Sequence, residues 1–405
     1  MKSLKTFLFG TFVSIGFSVV NAQVTQTDSS TLAPLNAINN VLQGNSSKNI
    51  SLGVYAQIDY NQPLGGDSRE TGMMDIHRLV TFMGYRFNDK THFVSEIEFE
   101  HVTEVYVEQA FLNYSIDQRL NFRAGLLLIP MGIINEYHEP TTYYGVERPN
   151  LEGKIVPTTW REMGVGFSGS FSATSLRYQV YIVNGFNGYD ADGAKFRGSD
   201  GFRKGRQKAA ESYVSSPNLS MKVDYYGLPG LKLGVAAYKG NTQSTMFKGL
   251  SKGDEAASSS ADSSIVNMTM IGLDARYQNN GIVGRAQLIN TLIGNTDQYN
   301  AFGGADLGSR MFGYYLEGGF DIFSLVNKIK DHRCVPFIRY ERYDTHRGVE
   351  GAISRNIAYD RTDITMGVSY YLAPGAVLKG DLQIFSDKSS SEKTKQLNFG
   401  VGVWF

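Results

Sequence analysis

The chain has 405 residues, with 39 Lys and Arg against 39 Asp and Glu, 44 Gly, 24 Tyr, 24 Phe, two Trp and one Cys. A formal charge of zero and no recognisable module leave no basis for a nucleic-acid partner, and one thiol, Cys334, excludes an internal disulfide. The length allows several soluble domains or one large barrel; abundant Gly and aromatic residues, with no long apolar run, favour strands whose two faces meet lipid and water.

Lys2 and Lys5 precede an uncharged run from Thr6 to Val20, and Val20-Asn21-Ala22 supplies the small residues of a cleavage site. This predicts an export signal over 1–22, removed after Ala22; the run is too short and broken for a membrane-spanning helix. Without Lys2 and Lys5 the balance is 37 basic against 39 acidic side chains. Residues 23–49, rich in Thr, Ser, Asn and Gln, have no sustained period and read as a polar periplasmic lead-in.

From Ile50 the pattern changes. Ile50, Leu52, Val54, Ala56, Ile58 and Tyr60 make one face, while Ser51, Gly53, Tyr55, Gln57 and Asp59 make the other. In a soluble sandwich these faces point to core and water; in an outer-membrane barrel they point to lipid and lumen. The same two-residue period returns at 76–87, 92–101, 105–116, 120–129, 161–171, 176–185, 219–226 and 231–239, and again at 265–277, 281–291, 311–321, 334–343, 364–371, 377–385 and 396–405. Sixteen segments, an even number of the length a tilted membrane strand needs, predict an all-β fold: a transmembrane antiparallel β-barrel of about 16 strands over 50–405.

The connections alternate in character. Asn88-Asp89-Lys90, Ser115 to Arg119 and "GLPG" at Gly227 to Gly230 are tight turns on the periplasmic side, whereas 130–160, 186–217 and 240–264 are long external loops. "SKGDEAASSSADSS", Ser251 to Ser264, is low in complexity and reads as a mobile external tip. The closing "LNFGVGVWF" alternates Leu397, Phe399, Val401, Val403 and Phe405 against Gln396, Asn398, Gly400, Gly402 and Trp404. A last strand that pairs with the first leaves no edge in lipid, and Trp404 and Phe405 are expected at the interfacial girdle. A terminal Phe on such a strand also resembles the sorting signal of bacterial outer-membrane proteins.

If the apolar phase meets lipid, the other phase names pore-lining candidates: Arg78, Arg86, Arg123, Arg177, Lys222, Lys232, Arg276, Arg285 and Lys379. Asp59, Glu96, Glu98, Glu100, Asp224, Asp274, Glu317 and Asp381 stand against them, so selectivity depends on clustering; the plain alternative is a water-filled interior with charges paired across strands. The phases of 76–87, 105–116 and 334–343 read either way. The segment 186–217 carries Lys195, Arg197, Arg203, Lys204, Arg206 and Lys208 against Asp190, Asp192, Asp200 and Glu211. Folded into a barrel mouth, it would draw anions; outside, it would pair with lipopolysaccharide. Its "DADG" has too few ligands for a calcium loop.

Signals of catalysis are weak. No HExxH, CxxC or GxxxxGK[ST] occurs, and "GFSGS" fails the GxSxG pattern. The six His are scattered, and His101, on the side of Phe93, Ile97 and Phe99, reads as a girdle residue. No catalytic residue, metal or cofactor is expected.

Three stretches, "FRAGLLLIPMGIINEYHEP" from Phe122, "VERPNLEGKIVPTTWREMGVGFSG" from Val146, and "YIVNG" from Tyr181 with the restart "SPNLSMKVDYYGLPGLKLG", resemble the phosphate-selective porin family, also called the porin O and P family, in its Bacteroidetes forms. The Gly125, Pro130, Gly132 and Trp160-Arg161-Glu162-x-Gly164-x-Gly166 patterns carry the likeness, and "FIRYERYDT" and "ITMGVSYYLAPGAVLKGDLQ" are similar to its closing strands. The resemblance implies a sixteen-stranded homotrimer in the outer membrane that passes anions through a constriction. The arginine ladder and lysine cluster of phosphate-specific members have no one-for-one counterpart, and Glu96, Glu98 and Glu100 stand on the expected lumen side. The sequence therefore predicts a porin for small hydrophilic solutes, with an anion or phosphate preference; an outer-membrane hydrolase and a plugged barrel acting as adhesin or scaffold are the alternatives.

Overall fold

A computed structural model describes residues 49–65, 70–117, 119–251, 253–326 and 331–405. The expected signal and nearly all of the lead-in lie outside these residues. Sixteen strands close into one antiparallel barrel. In chain order they are β1 Ile50–Leu64, β2 Met73–Arg86, β3 Thr91–Glu100, β4 Glu104–Asp117, β5 Leu120–Leu128, β6 Arg161–Phe171, β7 Leu176–Val183 and β8 Asn218–Leu228, then β9 Leu231–Asn241, β10 Asn267–Asn279, β11 Ile282–Gly294, β12 Arg310–Phe320, β13 Arg333–Gly348, β14 Asp360–Ala373, β15 Ala376–Asp387 and β16 Thr394–Trp404.

Each strand pairs with its sequence neighbours, and β16 pairs with β1 from Tyr55↔Trp404 to Leu64↔Lys395. Val54 and Phe405 exchange both backbone hydrogen bonds, at 2.8 and 2.9 Å. The seam thereby satisfies the groups that an open edge would expose to hydrocarbon. Ile58, Phe399, Val401 and Phe405 face outward as expected, but Trp404 packs inward against the interior cluster instead of joining the girdle. No helix among the described residues is long and apolar enough to cross a membrane.

Connections at one end are mostly short, as at 87–90, 172–175, 229–230 and 280–281, with 321–332 the longer one; at the other, 129–160, 184–217, 242–266 and 295–309 are long. The shortest link at the long end is β3–β4, only 101–103. His101 is thus in a turn with φ 51° and not on a strand. The tip read as mobile contains a helix, α2, Glu255–Asp262, which Asp254 caps by accepting from the Ala257 amide at 2.9 Å. Alanines at 256, 257 and 261 supply the helix propensity that the polar composition conceals.

The connection 129–160 turns into the barrel. Every residue from Leu126 to Val146 is buried, and two glycines make the inward turn possible. Gly125 has φ +136°, where a Cβ would lie 2.3 Å from the Ala110 carbonyl oxygen. Gly132 has φ +82°, and a Cβ there would meet the Glu152 carboxylate at 2.7 Å. Glu152, in the one-turn helix α1 Leu151–Lys154, accepts from the amides of Ile133, Ile134 and Asn135 and from the Tyr315 hydroxyl. Asn135 closes the base: its amide donates to the Ile129 and Trp160 carbonyls at 2.7 and 2.9 Å and its oxygen accepts from the Trp160 amide at 2.6 Å.

The connection 184–217 also folds inward, because its aromatics have a place to go. Phe186 stacks on Trp160 at 4.6 Å, Phe196 packs edge-on against Phe186, and Phe202 lies tilted beside Phe186 and edge-on to Phe196. All four rings are fully buried. Phe202 thereby sets the direction in which Arg203 and the residues after it point.

Candidate functional site

The inner loop is fastened to strands around most of the barrel, largely through charged groups. His138, only 2% exposed, lies between Glu96 at 3.3 Å and Glu108 at 3.4 Å. Lys222, 1% exposed, reaches Glu136 at 2.5 Å, Asp274 at 3.0 Å and Asp224 at 3.7 Å. Farther round, Asp381 accepts from the Val146 amide, Lys379 donates to the Gly145 carbonyl and Glu341 accepts from the Leu151 amide. Buried charges are tolerated only with partners, and here most partners come from opposite sides of the loop–wall boundary.

Between this loop, the wall and the segment 184–217 lies a pocket lined by Arg78, Arg161, Arg203, Arg206 and Lys208, with Glu98, Glu100, Tyr106, Thr158 and Thr159. Arg78, Thr158 and Arg203 also line an adjoining cavity of about 330 Å³, where Gln57, His77, Arg148 and Asn150 join them. Five cations face two carboxylates in the narrower part. Arg78 approaches Glu98 at 3.3 Å, but its Nε and that of Arg161 have no hydrogen-bond partner among the described residues. Arg203 and Arg206 donate to the carbonyls of Thr158 and Thr159 at 2.7 and 3.1 Å, and Lys208 sits 4.0 Å from the Tyr106 ring. These bonds position cations without neutralising them.

The crowding shows in the loop residues' acidity. Burial and then Arg206 and Arg161 hold the Lys208 ammonium below the usual lysine range. Arg206 is lowered to about 9 by burial, with Arg203 and Arg161 adding repulsion. Positive groups that raise one another's cost of ionisation form a place where an anion lowers the energy of all of them.

The sequence-selected cations divide into groups. Arg78 lines both spaces. Arg177 binds Asp224 and the Tyr137 hydroxyl, Arg276 lies 4.0 Å from the Tyr137 ring, Arg285 donates to the Thr142 carbonyl, and Lys379 lies 3.8 Å from the Tyr143 ring. With Lys222, these five hold the inner loop. Arg123 bridges Asn113 and Tyr181 across the wall. Lys232 is half-buried on the inner phase of β9, and Arg86 lies near the short-turn end of β2. Of the basic-loop candidates, Arg203, Arg206 and Lys208 reach the pocket. Lys204 pairs with Asp200 at 2.7 Å, Arg197 donates to the Gly304 carbonyl, and Lys195 binds Asp190 and Asp192, which accounts for the "DADG" carboxylates as a turn.

Sequence reasoning missed Glu108, Arg161 and Arg339. The β3–β4 register slips between Glu96↔Gln109 and Ile97↔Val107, so Glu108 is a bulged residue and both it and Gln109 face inward. Arg161 shares the strict alternation of outward Met163 and Val165, yet it is 2% exposed because the chain there is still leaving the inner loop. Arg339, between Glu317 and Glu341 on β13, is inward with Val335 and Phe337. Aromatics on both faces of that strand hid its phase.

No protein-family model matches the sequence. The barrel has the fold of solved outer-membrane channels. The outer membrane channel DcaP of Acinetobacter baumannii superposes with TM-score 0.56 at 10% identity, over 88% of this chain and 97% of that one. OmpF of Salmonella typhi, in complex with daunomycin, gives 0.55 at 11% over the same shares, and an anion-selective porin from Comamonas acidovorans gives 0.52 at 13%, over 88% and 100%. At these identities the likeness is one of fold. In sequence, an uncharacterized protein of Aquifex aeolicus (strain VF5) is 30% identical over 361 residues, 85% of this chain and 78% of its own. The chain belongs to the family of that protein.

Proposed function

We propose that the protein is an outer-membrane porin through which small hydrophilic solutes diffuse passively, with anions preferred. The observation that carries this reading is the convergence of Arg78, Arg161, Arg203, Arg206 and Lys208 inside a closed barrel. Guanidinium forks replace part of an anion's hydration without moving, because Phe202, Thr158 and Thr159 fix them. The shared fold with an anion-selective porin and the resemblance of the 122–185 region to phosphate-selective porins support the same direction; that resemblance also supports a homotrimer. Lys222, Arg177, Arg276, Arg285 and Lys379 serve selectivity only indirectly, by holding the loop that narrows the lumen.

The test is the reversal potential under a salt gradient in planar bilayers. Arg203→Gln, Arg206→Gln and Lys208→Gln combined lower the anion-to-cation permeability ratio relative to the unaltered protein. An unchanged potential would remove the pocket from the mechanism. The burial of 126–146 and the modest cavity favour one second reading, a plugged barrel serving as a surface scaffold. That barrel would show no open steps.

A further inference from the structure

A second cluster lies toward the long-loop end of the barrel, where β1, β2 and the 101–103 turn meet. The β1–β2 register slips there: Gln57 faces Arg78 but Asp59 faces Asp75, so β2 carries one extra residue. A bulge of this kind re-aims side chains, and it brings His77 to the cavity that Arg78 also lines. His77 Nδ1 lies 3.1 Å from Asp59 Oδ2. His101 Nδ1 is hydrogen-bonded to Asp75 Oδ2, and the two imidazole centroids are 5.4 Å apart. Ligand-capable atoms of Asp59, Asp75 and His77 all lie within 4.8 Å of one another, and His101 is joined to this triad through its contact with Asp75.

We propose that His77, His101, Asp59 and Asp75 bind one divalent transition-metal ion, with Zn²⁺ the ion their chemistry fits best. Two imidazoles with two carboxylates are a Zn²⁺ donor set, whereas Ca²⁺ and Mg²⁺ call for six or more oxygens. A tetrahedral Zn²⁺ with ligands at about 2.0–2.2 Å places ligand atoms roughly 3.3–3.6 Å apart. The His77–Asp59 separation is already close to this. Gln57 Nε2 donates to Asp59 Oδ2 at 3.0 Å and orients that carboxylate, a support that metal sites commonly have. His77, Asp75 and His101 are one-quarter to one-half exposed, so an ion can enter.

The other histidine–carboxylate cluster differs in each respect. Glu96, Glu108 and His138 are sealed from solvent, and Tyr55, Gln109 and Thr159 already donate to the two carboxylates. It is a tether for the inner loop. At the rim, by contrast, a bound dication would cancel the Asp59 and Asp75 charges beside the cavity and leave the neighbouring arginines less opposed. This inference does not depend on the porin reading.

The full-length barrel in detergent, stripped with EDTA, is titrated with Zn²⁺ by calorimetry. One ion per chain is expected, and Asp75→Asn and the double variant His77→Ala, His101→Ala each weaken binding at least about tenfold. Co²⁺ in the unaltered protein gives the visible spectrum of a four-coordinate site. Absence of binding, affinity that both variants leave unchanged, or a six-coordinate Co²⁺ spectrum would overturn the assignment. The Co²⁺ result stands even if a variant fails to assemble.

Discussion

Lys222→Met tests whether buried ion pairs hold the inner loop. The ammonium is 1% exposed and contacts Glu136 at 2.5 Å, Asp274 at 3.0 Å and Asp224 at 3.7 Å. Methionine fills similar volume but leaves three acidic groups with less compensation; removing one partner of a buried pair costs about 3–5 kcal/mol. Arg177 still serves Asp224 at 2.7 Å, which places the expected loss toward about 3 kcal/mol. Glu136→Gln costs less, since Lys222 keeps both aspartates and Gln179 still has an amide partner at 136. The double variant then loses less than the sum of the two, with a coupling of about 1.5–3 kcal/mol, as for hydrogen bonds to charged groups. Denaturant titration of the barrel reassembled in lipid vesicles measures all four stabilities. Strict additivity, or a Lys222→Met loss under about 1 kcal/mol, would refute the reasoning.

Asn135→Ala leaves the Ile129 and Trp160 carbonyls and the Trp160 amide without their side-chain partner; about 1–3 kcal/mol is lost, and noisier single-channel currents report the loosened loop. Lys208 is held below the ordinary lysine range and Arg206 is lowered to about 9, so these two cations lose charge as pH rises toward about 10. Anion preference therefore falls with rising pH over that interval, and Arg206→Gln combined with Lys208→Gln flattens the fall in a reversal-potential series. Removing Trp404 and Phe405 deletes the backbone bonds to Val54 at the seam and to Gly375 beside β15; assembly yield in detergent refolding drops, whereas Phe405→Leu keeps those bonds and assembles.

The wall was legible in the sequence because its physics is one-dimensional. Alternation at Ile50–Leu64 or Thr394–Trp404 survives in isolation, since lipid on one side and a filled lumen on the other impose a period of two at every residue. What fills the lumen was not legible. The burial of the inner loop follows from partners far along the chain, such as Asp381 for Val146, 235 residues away, and Glu341 for Leu151, 190 away, and no local period encodes them. The basic loop was recognisable by composition, yet only the packing of Phe186 on Trp160, with Phe196 and Phe202 against Phe186, selects Arg203, Arg206 and Lys208 over Lys195, Arg197 and Lys204. Bulges hid the rest: one extra residue carries Glu108 inward on β4, and the β2 slip brings His77 and Arg78 inward together.

The proposal stands or falls most directly on single-channel recording of the purified barrel in planar bilayers, with chloride and potassium on the two sides of a gradient. Discrete open steps and a reversal potential displaced toward the chloride equilibrium value are the predicted result. A silent membrane, or a potential displaced toward potassium, would contradict it.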